Sequence, residues 1–339
     1  MDSNRKKKQH YVPQCYLNAW AIKGTHQIHV YDKQICKDRI NNITDVASEN
    51  YFYDIDFQKA LSRNEKDLLG LDDNALENMG KEQIIENFFA NSVEGELSQL
   101  LDEIIAKVAS LTPNKYKKHF ISKRKKLKFS RHLAFQHIRT KSTRVSIDGI
   151  SDCLEQMLME MNASQDVIAS IKSTKESTKL IHGQMILSRK EVMQSACRFN
   201  ELIWILAVNN TNKEFFTTDK PISTRPHIID KYVPKTGLMS EGVEVFYPIS
   251  PKIMLIMFDP VYHHNISKLN RHYFFINDSK DIDSYNVLSS IFANRCIFSS
   301  SGDFSIIDQM LSLDNTVFDK PSVSLSWNGK VFYPRKQFE

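Results

Sequence analysis

Glycine and proline are scarce, ten of each in 339 residues, which excludes collagen-like, low-complexity and linker-rich designs. No run of 18 apolar residues occurs. The longest, Leu202–Val208, is strand-sized, so no membrane span is expected. The five cysteines (Cys15, Cys36, Cys153, Cys197 and Cys296) contain no C-x-x-C pair, which removes the common zinc and redox motifs. Scattered thiols, odd in number, fit a reducing compartment, and a cytoplasmic protein is expected. Arg5, Lys6, Lys7 and Lys8 are followed by no apolar stretch, so a signal peptide is not expected. A Gly-rich phosphate loop, a G-x-S-x-G elbow and an H-E-x-x-H helix are all missing, and no organic cofactor is indicated.

What is present suits a globular chain. Hydrophobic residues make up 41%, charged residues 25% and aromatics 10%, enough for a sizeable core without disulfides. The net charge of +5 is unevenly spread. Residues 113–131, "PNKYKKHFISKRKKLKFSR", hold nine Lys or Arg and no acid, while acids concentrate in residues 45–104. Lys123, Arg124, Lys125 and Lys126 are candidates for holding a nucleic-acid backbone. A solvated helix face lying near an acidic one is the alternative.

Residues 1–8 read as a disordered basic tail, residues 9–310 as one domain, and residues 311–339 as a C-terminal β-hairpin extension. A short helix enters through Pro13. A hairpin turns around Asp32-Lys33-Gln34, and "SENYFYDI" adds a strand. From about Glu77 the apolar spacing becomes helical and predicts one long amphipathic helix ending at Pro113. Further helices are expected at about 122–140, 148–175 and 186–199. "ELIWILAVNN" and "EFFTTDKPIS" read as a hairpin joined by Asn-Thr-Asn. "VEVFYPISPKIMLIMFDP" adds two strands, a helix is expected at about 280–293, and "SVSLSWNGKVFYP" closes with an Asn-Gly hairpin. The fold class is α+β: a small N-terminal β-hairpin region, a helical middle and a mainly antiparallel C-terminal sheet.

Three segments carry polar residues where structure alone asks for none. In "QHYVPQ" a His and two Gln interrupt apolar neighbours. In "HLAFQHIRT", His132, Gln136 and Arg139 share one helix face at i, i+4 and i+7, where burial demands partners. In "FFTTDKPIS", Asp219 ends an apolar strand, a position where a sheet fixes a carboxylate while leaving it accessible. Each also has a structural reading: a satisfied network for Gln136 and Arg139, an Asx-type turn for Asp219.

"QHYVPQCYL", "VYDK", "ENYFYD", "IENFFANSVEGEL", "LAFQHIRT", "FFTTDKPIS" and "FYPISPKIMLI", in that order, resemble the family catalogued as domain of unknown function 4238, over about residues 9–300. The resemblance implies a recurrent H-x-V-P-Q, an acid in the first long helix, Q-x-x-R-T and T-S-D-x-P. Here these fall on His10 to Gln14, Glu94, Gln136 to Thr140, and Thr217 to Pro221, with Thr218 in place of Ser. It brings no agreed activity with it.

His10, Gln14, Glu94, Gln136, Arg139 and Asp219 are therefore expected to meet between the helices and the C-terminal sheet. One expectation is a nuclease or other phosphodiester hydrolase. His10 would act as base or ligand, Glu94 and Asp219 would join it in holding Mg²⁺ or Mn²⁺, and Arg139 would steady developing charge. Gln14, Gln136, His132 and the basic run would bind substrate. A role as a prokaryotic toxin or antiviral effector is expected from how orphan families tend to be used, not from spacing. The alternative is a non-catalytic module binding a nucleotide or nucleic acid. A third reading is NAD-consuming or nucleotide-transfer chemistry, with Glu94 or Asp219 stabilising an oxocarbenium-like centre. The sequence names no protein partner.

Overall fold

The computed structural model describes residues 5–70, 72–111, 118–229, 236–319 and 323–335. Strand β1 (Lys8–His10) leads through Pro13, whose extended backbone caps it, into helix α1 (Gln14–Leu17). Tyr16, Leu17 and Trp20 are fully buried there. The Tyr16 hydroxyl donates to the Pro248 carbonyl at 2.6 Å and stacks its ring on Tyr247 at 5.1 Å, which pins the start of the chain to its C-terminal half. Strands β2 (Gln27–Asp32) and β3 (Lys37–Asn42) form the expected hairpin, and β4 (Ser48–Asn50) pairs antiparallel with β1. The basic tail is shorter than expected. Lys8 already lies in β1, Arg5 pairs with Asp54 at 2.7 Å and Lys6 with Glu86 at 2.5 Å. Residues 1–4 lie outside the described residues.

Among the described residues, ten helices follow the short α1: α2 (Phe57–Ala60), α3 (Arg63–Leu69), α4 (Asp73–Lys81), α5 (Ile84–Ser92), α6 (Glu94–Ala109), α7 (Lys123–Ile138), α8 (Lys141–Glu160), α9 (Gln165–Ile171), α10 (Lys175–Leu187) and α11 (Arg189–Glu201). The single long helix expected from Glu77 is in fact α4, α5 and α6. Gln83 breaks it with φ 48°, in the left-handed region. Its side chain exchanges hydrogen bonds with the Lys6 backbone (2.8 and 2.9 Å) and donates to Asp54 at 3.1 Å. Those partners outweigh the strain of the left-handed residue. Val93, at φ −122°, makes the second break. The apolar period runs through both breaks, so periodicity alone reads them as continuous. Pro113 lies outside the described residues.

The C-terminal half contains β5 (Ile203–Asn209), β6 (Thr217–Thr218), β7 (Ser223–Pro226), β8 (Val243–Ser250), β9 (Ile253–Phe258), β10 (His272–Ile276), α12 (Ser279–Phe292), β11 (Cys296–Ser299), α13 (Ser305–Leu313), β12 (Leu325–Trp327) and β13 (Lys330–Phe332). Five strands make one sheet in the order β10-β5-β9-β8-β7, antiparallel except for β10 beside β5. The hairpin joining "ELIWILAVNN" to "EFFTTDKPIS" does not form. Asn209 closes a side-chain turn on Thr211 and Lys213, and the chain leaves for a second sheet, β3-β2-β11-β6. The N-terminal hairpin is therefore completed by C-terminal strands, and the fold is α+β. Helix α7 packs on the larger sheet, its Phe129 edge-on to Trp204 at 5.7 Å. The Asn328-Gly329 hairpin β12–β13 lies on α8, where Gln156 donates to the Tyr333 carbonyl at 2.7 Å.

Gly302 has φ +76°, and a Cβ there would stand 2.6 Å from Nδ1 of His29. Gly302→Ala is expected to destabilise by about 1–3 kcal/mol, read as a fall in urea midpoint. An unchanged midpoint would show that His29 swings away freely.

Candidate functional site

Arg139, the residue after α7, is 2% exposed. Its Nη2 donates to the His10 carbonyl at 2.7 Å and to Glu94 Oε1 at 2.9 Å, and its Nε to the Tyr53 hydroxyl at 3.3 Å. The guanidinium lies 3.9 Å from the centre of the Phe89 ring. Glu94 opens α6, and the Tyr53 hydroxyl donates in turn to the Arg139 carbonyl at 3.1 Å. Arg139 thus ties β1, α5, α6 and α7 together, and its charge is spent inside the protein.

His10 joins this knot through its backbone, while its ring is buried beside it. The Gln14 amide nitrogen stands 3.4 Å from Nδ1, and Nε2 has no hydrogen-bond partner among the described residues. Burial first, then the Lys6 ammonium, holds the imidazole down at about 4 against the pull of Glu94. The ring is neutral at pH 7. Gln136 is buried as well, its Nε2 donating to the Tyr11 carbonyl at 3.3 Å and its Oε1 unpartnered. Five of the six expected residues are therefore linked, as a brace rather than a pocket wall.

Asp219 is the sixth, and it is not part of that brace. Its Oδ1 accepts from the Asn294 backbone N–H at 2.8 Å, and its Oδ2 from those of Arg295 (2.8 Å) and Cys296 (2.9 Å). Burial raises its pKa against those three donors and the Lys33 charge. A carboxylate saturated by backbone N–H groups fastens the turn before β11, which is the structural reading of this residue.

The helix α7 residues divide. His132 accepts or donates at Nε2 with Glu96 Oε2, 2.9 Å away, with Nδ1 buried and unpartnered. It faces α6, apart from Arg139. Lys125 pairs with Glu103. Lys126 is buried, donates to the Leu202 carbonyl at 2.7 Å, and is pushed down to about 8 by burial and then by Arg271. Neither is free to hold a substrate. Lys123 and Arg124 are exposed.

The three flagged segments do converge, through residues one position from those named above. Gln136 touching the Tyr11 carbonyl brings "QHYVPQ" to α7, and the Asp219 charge acts on the buried Tyr11 phenol. Lys220 acts in turn on His137, which burial and then that charge lower to about 4. The Tyr11 hydroxyl, the His137 ring and the Lys220 ammonium make no hydrogen bond among the described residues, whereas the fully buried atoms left without a partner include His10 Nε2 and Gln136 Oε1. His137 and Lys220 keep some solvent contact although burial dominates their titration. Lys33 stands alongside, its Nζ on the carbonyls of Ile291 (3.1 Å) and Ala293 (2.7 Å) and its pKa pushed to about 8 by burial. The missed signal was a repeated Asp-Lys step closing β2 ("VYDK") and following β6 ("TTDK").

Among the described residues no group of three His, Cys, Asp or Glu could hold a metal ion. His10, Glu94 and Asp219 do not assemble the expected Mg²⁺ or Mn²⁺ ligand set: Glu94 is paired with Arg139, and both Asp219 oxygens are occupied. Asp219, with both oxygens occupied by backbone N–H groups, is not placed to face an oxocarbenium-like centre. No helix among the described residues is long and apolar enough to cross a membrane. Comparison with curated proteins and with solved structures returned no match. A family model does match, over residues 8–303, and takes in the arginine brace, Tyr11, His137, Lys220 and both sheets. The chain belongs to the family described as "Protein of unknown function (DUF4238)".

Proposed function

We propose that the chain is a binding module for a small anionic ligand of the nucleotide class, held by Lys220, Tyr11 and His137. The observation that carries this reading is the half-buried Lys220 ammonium, which touches solvent yet has no hydrogen-bond partner among the described residues and whose pKa burial lowers. Two ammonium groups, Lys33 and Lys220, face one carboxylate, Asp219. A buried cation in excess is costly until an anion joins it. Tyr11 and neutral His137 offer the directional hydrogen bonds that a phosphate oxygen or ribose hydroxyl would use.

Thermal shift against phosphate, pyrophosphate and nucleotides tests it. A bound anion raises the melting temperature by mass action, by about 2.7 kcal/mol of stability at a hundredfold excess over Kd. Lys220→Met is expected to abolish that response while making the ligand-free protein more stable by about 1–3 kcal/mol. A variant that responds to the same anions as the wild type would defeat the reading.

A second reading is phosphodiester hydrolysis in this cleft, favoured by the neutral, unpartnered His137 as a base and Lys220 against developing charge. Hydrolysis would also supply a chemical basis for a toxin or antiviral role. Incubation with single-stranded DNA and RNA, with and without Mg²⁺ or Mn²⁺, tests it. Cleavage that survives His137→Gln, or no cleavage at all, would dismiss it.

A further inference from the structure

The basic run has a second use on another face of the molecule. Lys118, His119, Lys123 and Arg124 lie where the chain enters α7, and Arg271 and His272 lie where it enters the edge strand β10. The two segments are stitched together. Arg271 donates to the Ile121 carbonyl at 3.3 Å, the Arg271 carbonyl accepts from Phe120 at 2.9 Å, and the His119 and His272 rings are 4.6 Å apart. Among the described residues none of these cations makes a salt bridge, whereas Lys125 and Lys128 just beyond them are paired with Glu103 and Glu96. The charges acting on His119 are Arg271, His272 and Lys123, with no carboxylate among them.

An aromatic continues the patch. On β10 alternate side chains share a face, so Phe274 follows His272, while Tyr273 turns the other way and packs on Phe120 at 6.0 Å. Phe274 is 52% exposed. An uncovered phenyl ring beside unpaired cations matches a nucleobase and its phosphates, because each base has a stacking face and each phosphate a charge. The first turn of α7 adds the partial positive charge of a helix start.

We propose that this surface, Lys118, Lys123, Arg271, His272 and Phe274, docks single-stranded nucleic acid. Charge complementarity selects a polyanion, and the exposed ring selects unpaired bases over a duplex, whose bases are already stacked. This surface does not depend on the Lys220 cleft.

Fluorescence anisotropy of the full chain with labelled oligo(U), oligo(dT) and a duplex of equal length, across a salt series, tests it. The single strands are expected to bind about tenfold more tightly than the duplex. Phe274→Ala is expected to weaken single-strand binding about tenfold and leave the salt slope unchanged. The double variant Lys118→Glu with Lys123→Glu is expected to reduce that slope by about 1.4, two phosphate contacts at roughly 0.7 each. The uridine and thymidine arms show whether a 2′-hydroxyl matters, and either preference supports the proposal. No binding at low salt, equal binding of duplex with no effect of Phe274→Ala, or a preference for anionic lipid vesicles would overturn it. Lys220→Met leaves this binding unchanged, so failure here and failure of the anion cleft are separate results.

Discussion

Replacing Arg139 by methionine is expected to lower the stability of the folded chain by about 3–5 kcal/mol, the range for removing one partner of a buried ion pair. Methionine fills much of the same volume, so the loss reads the hydrogen bonds and charge rather than a cavity. Three acceptors lose their donor: the His10 carbonyl, Glu94 and the Tyr53 hydroxyl. These lie on β1, α6 and the segment after β4, so the loss loosens the joint between the N-terminal strands and the helices. The melting temperature is expected to fall on the order of 10 °C. Glu94→Gln is the control. The Glu94 side chain is 30% exposed, so water replaces part of what it gives, but the guanidinium left without its counter-charge is buried, and about 1–3 kcal/mol is expected. An Arg139→Met protein as stable as the wild type would show that this network orders nothing.

Acid is expected to unfold the protein across an unusual window, from about pH 6.5 down to about pH 4. Three histidines are neutral inside the fold. His10 and His137 are lowered to about 4 and His182 to about 3, in each case chiefly by burial. In the unfolded chain each titrates near 6.5. Their folded pKa values lie below the unfolded ones, so the unfolded state binds more protons between these limits. Stability is fully present above pH 6.5 and is lost as pH falls through the folded values.

His182 shows why in atomic terms. Its Nε2 donates to the Ile138 carbonyl at 2.8 Å, leaving Nδ1 to accept from Arg144 at 3.0 Å. Protonating Nδ1 would set a proton against a guanidinium. Each buried imidazole contributes at most roughly 3 kcal/mol over the window, and His137, partly solvent-exposed, contributes less. Urea unfolding at a series of pH values reads the slope directly, and His182→Gln is expected to reduce it by about a third. Stability that is flat from pH 7 to pH 5 would contradict the assignment of neutral, buried rings.

Much of this architecture is legible in the chain. The hairpins at Asp32 and Asn328-Gly329, helix α7 and strands β8 and β9 follow from alternation, turn residues and apolar spacing. The breaks at Gln83 and Val93 do not, because what stabilises Gln83 in a left-handed conformation is Lys6 and Asp54, far away in sequence. The proposed anion site falls one position from three of the residues the sequence singled out. Adjacent side chains on a strand or helix point in different directions, so a motif locates a segment without choosing which neighbour faces the opening. Gln136 and Asp219 turn toward backbone partners and the His10 ring lies against Gln14, while Tyr11, His137 and Lys220 make no side-chain hydrogen bond among the described residues. Partner satisfaction is a property of three-dimensional neighbours, and no spacing rule encodes it.

The central claim is that these three side chains form an anion cleft. Crystals soaked in tungstate, a phosphate-shaped anion with a strong anomalous signal, test it most directly. The account predicts an anomalous peak within hydrogen-bond distance of Lys220 Nζ, absent from Lys220→Met crystals. Tungstate seated only on exposed lysines, with the cleft empty, would contradict it.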